Sequence, residues 1–447
     1  MAPSPEGTAG IPHGASAVPS GLAESSTRGD PSTEVLGYFH GVPKERYTDT
    51  AGRQARTAAG RTARTALAIL NAPRWIELKA NSVAHVLAAV IPRPNAPVEL
   101  RELPEPALEP DSGLLAVELS EVCGTDVYLH QGRLVDTPYP FIPGHVTVGR
   151  LEKIRGRLID IDGRAFREGE RVTFLDVHRT CHACYYCLVA KATTRCPHRK
   201  VYGITYGLAD GLTGGWARKL YIKPGTRCIA LGDANAETFM AGGCGLPTAL
   251  HAVERGQVSL GDTVLILGSG PVGLSALILA AMAGALRVLC IGAPDDRLAT
   301  ARAMGASDVL NFQSAAAADR IAWVRERTGG RGADVTIEAT GAPSAVVEAM
   351  RFTRDNGRVV VVGQYTDHGE TAFNPHVDLN KKHLDVRGCW GSDFSHFERG
   401  ARIITDPVRG APWSTLKLTR YGLGQANDAL AAVADGKVIK ALIDPAR

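Results

Sequence analysis

Four cysteines, Cys181, Cys184, Cys187 and Cys196, fall within one short run, Cys-His-Ala-Cys-Tyr-Tyr-Cys-Leu-Val-Ala-Lys-Ala-Thr-Thr-Arg-Cys. No other stretch restricts the local fold so severely. Thiolates three residues apart on a tight loop can all face one tetrahedral Zn²⁺, whereas disulfides closed over such short steps are strained. The chain holds nine cysteines in 447 residues, an odd total with several at ligand spacing, so reduced thiols and metal are expected rather than a secreted disulfide scaffold. A cytoplasmic setting follows from that usage.

Downstream, the apolar segment Thr263–Leu267 runs straight into Gly268-Ser-Gly270-Pro271-Val272-Gly273 and then into an apolar helix-like stretch. A bare glycine pattern is weak, but a strand before it and a helix after it make a dinucleotide-binding loop the expectation. Gly268 suits the tight turn, Gly270 lets backbone approach a pyrophosphate, and Gly273 permits close helix–strand packing. The helix N-terminus beginning at Pro271 and Val272 favours the phosphate charge. An acid usually stands at the end of the next strand to bind the adenosine ribose, and here the neighbourhood reads Ile291-Gly292-Ala-Pro-Asp295-Asp296-Arg297. With Gly292 there a 2′-phosphate meets no repulsion and Arg297 could pair with it, but Asp295 could equally reach a ribose and Arg297 could be a plain helix-surface residue. NAD and NADP both stay open.

From about residue 261 onward the pattern is one of short apolar strands separated by helical segments, as in βαβ units of a parallel sheet. Strands are expected at Thr263–Leu267, Arg287–Ile291, Val335–Glu338 and Arg358–Val362, with helices near Val272–Ala283, Asp296–Met304 and Ser344–Phe352. Before it, alternating apolar residues from Val83 through Leu114-Leu-Ala-Val-Glu-Leu119 predict a β-rich domain. Residues 1 to about 33 are rich in Pro, Gly, Ser, Thr and Ala and are expected to be disordered. The basic, Ala-rich stretch Ala51–Leu70, with Arg53, Arg56, Arg61 and Arg64, is read as a solvated extension in preference to a transit peptide. The start, Met1-Ala-Pro-Ser-Pro-Glu-Gly, lacks the basic and apolar regions of a secretory signal, and the longest apolar run, Ala276–Leu286, fits a buried helix better than a membrane span. A net charge of +4 gives no reason to expect nucleic acid or membrane as a partner, so small molecules are the default.

Three scattered positions complete the pattern: Cys123 in Val-Cys123-Gly-Thr125-Asp126, His145 in Gly144-His145-Val146, and Cys244 in Gly-Gly-Cys244-Gly. Each alone is bland. Together with the Gly169-Glu-Arg-Val172 turn, the cysteine run, the glycine loop and Glu338-Ala-Thr-Gly341, they resemble the zinc-dependent alcohol dehydrogenases of the medium-chain dehydrogenase/reductase superfamily, from about Val83 to Ala446. The resemblance implies an α/β protein: a GroES-like β-rich catalytic domain over 82–245, a Rossmann doubly wound parallel sheet over 246–388, and a return to the catalytic domain over 389–447, with 1–81 as an extension. It further implies a homo-oligomer, dimer or tetramer.

By that resemblance Cys123, His145 and Cys244 bind a catalytic zinc with one position open, and hydride passes between an alcohol, or a carbonyl in reverse, and NAD(P). Thr125 occupies the family's hydroxyl position for taking the alcohol proton, and Asp126 orients the site. The loop Cys181, Cys184, Cys187 and Cys196 corresponds to the structural zinc lobe, one residue longer in its last gap; a closed site of this kind serves stability, and a nucleic-acid-binding zinc ribbon is the lesser alternative. Cys228, Cys290 and Cys389 are read as buried thiols. Two departures matter: Val146 stands where the family has Glu, removing an outer carboxylate from the metal site, and Tyr128 stands where many relatives carry a relay His, with His130 two residues on. Tyr128 or His130 could complete a proton path and Trp390 and Asp393 could border the pocket, but surface packing is the expectation for the first two and structural packing for the second two. A non-catalytic nucleotide sensor or scaffold that kept the fold is the rival reading.

Overall fold

The computed structural model describes residues 84–447, and the expectations for the extension and its basic stretch lie outside that range. Two sheets organise the chain. The first is seven-stranded; its path runs Leu418–Tyr421, Lys440–Ile443, Ser112–Val122, Thr147–Arg155, Arg171–Phe174, Cys228–Ala230, with Lys219–Ile222 paired to one end of Ser112–Val122. Lys440–Ile443 lies antiparallel to Ser112–Val122, with Leu442 opposite Glu121, so the C-terminal segment does return to the β-rich domain. Ser112–Val122 is buried almost without interruption rather than alternately, because both faces are covered. Leu114 and Leu115 are fully buried on successive positions, each stabilising the fold by roughly 2 kcal/mol of apolar burial.

The second sheet is six-stranded and parallel throughout, in the spatial order Asp308–Asn311, Arg287–Gly292, Thr263–Leu267, Ala333–Glu338, Thr353–Val361, Asp385–Gly388. The order reverses at Thr263–Leu267, the doubly wound arrangement in which ligands sit outside the carboxyl ends of the strands. Helix Pro271–Met282 follows that central strand; its sequence is apolar on all sides because it packs between the sheet and helix Gly245–Gly256. Helices Asp295–Ala303, Ala317–Arg327 and Pro343–Phe352 complete the crossovers. The expected strands and helices are present within a few residues at each end, while the edge strands Asp308–Asn311 and Asp385–Gly388 and helix Ala317–Arg327 were not anticipated.

Helices Ala236–Gly242 and Gly245–Gly256 join the two sheets. One apolar cluster runs from Leu119, Val146 and Val148 of the first sheet through Phe239, Leu246 and Leu250 to Val264 and Ile266 of the second. The cleft beside that shared core is therefore held on rigid elements. The cysteine run forms a separate lobe made of the short pair Val177–Arg179 and Lys200–Val201, a single helical turn at Tyr185–Leu188 and a 3₁₀ turn at Thr193–Arg195.

Candidate active site

Cys123 sits where strand Ser112–Val122 passes into helix Gly124–His130, in extended backbone as the helix N-cap. The fully buried Asp126 reaches back to accept the Cys123 amide at 2.9 Å, accepts the Gly144 amide at 3.4 Å, and lies 3.9 Å from His145 Nδ1. One carboxylate thus ties together the two segments that carry Cys123 and His145, which is the orienting role expected of it. His145 is 4 % exposed, and its Nδ1 has no hydrogen-bond partner. Its other ring nitrogen, Nε2, lies 3.9 Å from Cys123 Sγ.

Cys244 arrives at the same point from the start of helix Gly245–Gly256, and the ligand atoms of Cys123, His145 and Cys244 all lie within 4.8 Å of one another. For metal–sulfur and metal–nitrogen bonds of about 2.3 and 2.0 Å, a tetrahedral ion separates such donors by roughly 3.6 Å, so the observed spacing fits. Hydrogen bonding with Cys244, against the cost of burial, pulls the Cys123 thiol down to about 7, and the same partner together with burial pushes Cys244 well up. Two sulfurs and an imidazole, one thiol already ready to ionise, form a donor set suited to zinc.

The four-cysteine lobe is equally convergent. All four sulfurs lie within 4.8 Å of one another, with Cys184 to Cys187 and Cys196 to Cys181 at 3.6 Å. A tetrathiolate zinc places its sulfurs about 3.8 Å apart. The longer gap before Cys196 is taken up by the 3₁₀ turn Thr193–Arg195 and does not displace the thiol. Cys228, Cys290 and Cys389 are buried, and burial pushes each up to about 12.

The scattered trio opens on a cleft of about 300 Å³ between the two sheets. Thr125 and Tyr128 line one wall, and Pro271, Val272, Ala339 and Thr340, beyond the carboxyl ends of the parallel strands, line the other. Gly268 has φ +108°, and a Cβ there would lie 2.8 Å from Ala339 O; a Cβ on Gly273 would lie 2.0 Å from Gly268 O. A Cβ on Gly270 would meet nothing within 4 Å, so that backbone is bare toward the helix N-terminus. These are the three separate demands of a dinucleotide loop. Glu338, fully buried, accepts the amides of Thr340 and Gly341 at 2.7 and 3.0 Å and so shapes the neighbouring wall.

Several expectations change here. Arg297 donates from one guanidinium nitrogen to the carbonyls of Gly436 and Val438 at 2.6 and 3.0 Å, and it does not line the cleft. Its role is to pin the C-terminal return, in place of the phosphate pairing considered above. Gly292 abuts the glycine loop: a Cβ there would lie 2.6 Å from Ser269 Oγ, so packing alone accounts for the missing acid. His130 does pack, its Nε2 2.9 Å from the Ala96 carbonyl, whereas Tyr128 lines the cleft edge-on to His368 rather than serving the surface. Trp390 is also a cleft wall, stacked on Tyr365 at 5.5 Å with Arg195 and Arg199 over its ring. Asp393 instead caps helix Phe394–Thr405.

Residues the linear reading passed over are Glu121, Lys440, Asp176, Arg199 and Tyr365. Glu121 and Lys440 are both about 1 % exposed and form an ion pair behind Cys244. The available signal was a glutamate two positions before Cys123 that falls out of step with Glu118, so that the two cannot share one face of the strand.

Comparison with known proteins agrees with this geometry. Residues 109–233 match the alcohol dehydrogenase GroES-like domain, and residues 271–406 match the zinc-binding dehydrogenase family. The chain is 33 % identical over 362 residues to 5-exo-hydroxycamphor dehydrogenase of Pseudomonas putida, covering 80 % of this chain and 98 % of that protein. It is 31 % identical to a zinc-type alcohol dehydrogenase-like protein of Escherichia coli K12, again covering 80 % of this chain and 98 % of the relative. Among solved structures, an alcohol dehydrogenase from Thermotoga maritima superposes with a TM-score of 0.76 at 29 % identity, covering 80 % of this chain and 99 % of that one. Nothing in these likenesses supports a non-catalytic sensor or scaffold. With the GroES-like sheet, the doubly wound sheet and the cleft between them, the chain belongs to the zinc-type alcohol dehydrogenases of the medium-chain dehydrogenase/reductase superfamily.

Proposed function

We propose that this oxidoreductase interconverts an alcohol of bulky, largely apolar skeleton and its carbonyl, with zinc on Cys123, His145 and Cys244 and NAD(P) on the glycine loop. The observation that carries the reading is convergence: two thiols and an imidazole face, across one cleft, a helix N-terminus whose backbone is bare at Gly270. Zinc held there supplies Lewis-acid polarisation of the substrate oxygen, and the nicotinamide supplies or accepts the hydride.

The chain's own residues do the rest. Asp126 holds Cys123 and His145 in register through its two amide contacts and its approach to the imidazole. Thr125, two residues after Cys123 and on the cleft wall, would relay the alcohol proton, its hydroxyl accepting that proton as it passes its own on toward solvent. Val146, Val177, Val201 and Ile204 with the rings of Tyr128, Tyr365 and Trp390 exclude water around the substrate carbon. The likeness to an enzyme named for a hydroxycamphor supports a bulky skeleton. A second zinc on Cys181, Cys184, Cys187 and Cys196 stabilises the lobe.

The strand end at Gly292 carries no carboxylate to repel a 2′-phosphate, so both NAD and NADP are admitted. Nine cysteines, none of them in a disulfide, support a cytoplasmic setting. Exposed Tyr185, Leu188 and Val189 on the lobe support self-association as a dimer or tetramer. Among the described residues no helix is long and apolar enough to cross a membrane.

The test is a substrate panel followed in nicotinamide absorbance with each cofactor. Turnover of bicyclic and aryl alcohols above that of glycerol and erythritol is expected; preference for the polyols would reverse the substrate assignment, and no turnover with either cofactor would defeat the reading.

A further inference from the structure

Val146 leaves the position after the metal-facing histidine without a carboxylate, yet a different carboxylate reaches the same centre. Glu121 lies two residues before Cys123 on strand Ser112–Val122 and is fully buried. One of its oxygens accepts the Cys244 amide at 2.7 Å, and the other lies 3.3 Å from Cys244 Sγ. Its partner is the equally buried Lys440, brought in by strand Lys440–Ile443, whose ammonium also donates to Gly242 O at 3.4 Å.

The surroundings are built for this pair. Gly243, at φ +48°, passes directly over it, and a Cβ there would lie 2.2 Å from Glu121 Oε2 and 2.4 Å from Lys440 Nζ. Any other residue at 243 would displace the pair or the turn that delivers Cys244. Trp216 donates its indole N–H to the Glu121 carbonyl at 2.9 Å, fixing the strand at the same point. An isolated ion pair is costly to bury, so a pair aimed at a ligand cysteine asks for a reason beyond stability. Glu121 does not belong to the cluster in which the Cys123, His145 and Cys244 ligand atoms approach within 4.8 Å of one another. It lines the cleft beside Cys244 without joining that cluster.

We propose that Glu121, held by Lys440 under Gly243, is the positioning carboxylate of the metal centre, fixing Cys244 and occupying from the strand side the outer position that Val146 leaves empty. The carboxylate anchors the Cys244 backbone, and the ammonium offsets the negative charge that Glu121 adds beside two ligand sulfurs. The inference rests on the assignment of zinc to Cys123, His145 and Cys244.

The test compares wild type with Glu121→Gln/Lys440→Met, in which both charges leave together and no buried charge is stranded. Each protein is loaded with zinc and titrated with a chelator, the zinc of the four-cysteine lobe serving as internal control, and each is also loaded with Co²⁺ for its visible and thiolate charge-transfer spectrum. Outer partners of metal ligands are worth about 10–100-fold in metal affinity. A loss of that size confined to one zinc, with a shifted cobalt spectrum, is expected. Equal affinity and an unchanged spectrum would overturn the proposal alone, because a pair that merely satisfied itself could leave without affecting the metal. A wild-type protein holding zinc only in the lobe would overturn the functional reading and this proposal with it. If the double variant does not fold, Glu121→Asp withdraws the carboxylate from the Cys244 amide while keeping the ion pair's charges, and the same two outcomes decide.

Discussion

The two metal-ligand clusters are built in opposite ways. The lobe draws Cys181, Cys184, Cys187 and Cys196 from one loop, closed by local turns at Tyr185–Leu188 and Thr193–Arg195, and it exposes Tyr185, Leu188 and Val189 around them. The scattered centre draws Cys123 from a strand end, His145 from a loop and Cys244 from a helix start, and surrounds them with buried Asp126, Glu121 and Lys440. A loop of four thiols with little apolar core has to obtain its order from the metal itself. The other centre has its order from two sheets and the helices between them, so a metal proposed there would not be needed to hold the fold together. On the proposed reading, stability and chemistry are separated in space.

That contrast can be broken most sharply by exchanging one ligand in each cluster. Cys123→Ser is expected to lower turnover by about 10³-fold or more, since several kcal/mol of charge stabilisation at the substrate oxygen is lost, while the unfolding temperature stays close to wild type. Cys184→Ser should do the reverse: a fall in unfolding temperature from the loss of several kcal/mol of metal-linked stability, with turnover at low temperature largely kept. Activity and calorimetry on both variants check the pair, and a Cys184→Ser protein that is stable but inactive would show that the lobe takes part in chemistry. Within the scattered centre, Thr125→Val should cost about 10²-fold in kcat by removing the hydroxyl from the proton path. A wild-type rate for that variant would move the proton path to another group. The smallest effect is expected of Tyr128→Phe, less than about tenfold, because its ring stays to exclude water and only its hydroxyl is lost.

How far each cluster could be read from the chain follows from the same difference. The lobe declares itself by spacing, as does the glycine loop, because each is a local device with fixed steps along the sequence. Strands Thr263–Leu267 and Arg287–Gly292 were legible because central strands of a parallel sheet are apolar on both faces. The edge strands Asp308–Asn311 and Asp385–Gly388 read Asp-Val-Leu-Asn and Asp-Val-Arg-Gly, four residues each with one or two apolar positions, too short a pattern to separate from a loop. Cys123, His145 and Cys244 have no mutual spacing, so only resemblance joined them before the fold brought them together.

The shell behind them was less legible still. Glu121 and Lys440 meet only because the C-terminal strand returns to pair with Ser112–Val122, a long-range register that no local pattern encodes. Arg297 illustrates the converse: its place after the second strand suggested a phosphate partner, and the same C-terminal return claimed it for the Gly436 and Val438 carbonyls. Trp390 and Tyr128, read as packing, turned out to face the cleft because the two sheets meet there.

The most direct measurement is metal content per subunit during stepwise chelation, with turnover and unfolding temperature followed on the same samples. Two zincs should leave in separable phases, one carrying away turnover and the other carrying away thermal stability. A protein that holds a single zinc, or whose turnover and stability fall together with one ion, would contradict the division between a working centre at Cys123, His145 and Cys244 and a structural one at the cysteine lobe.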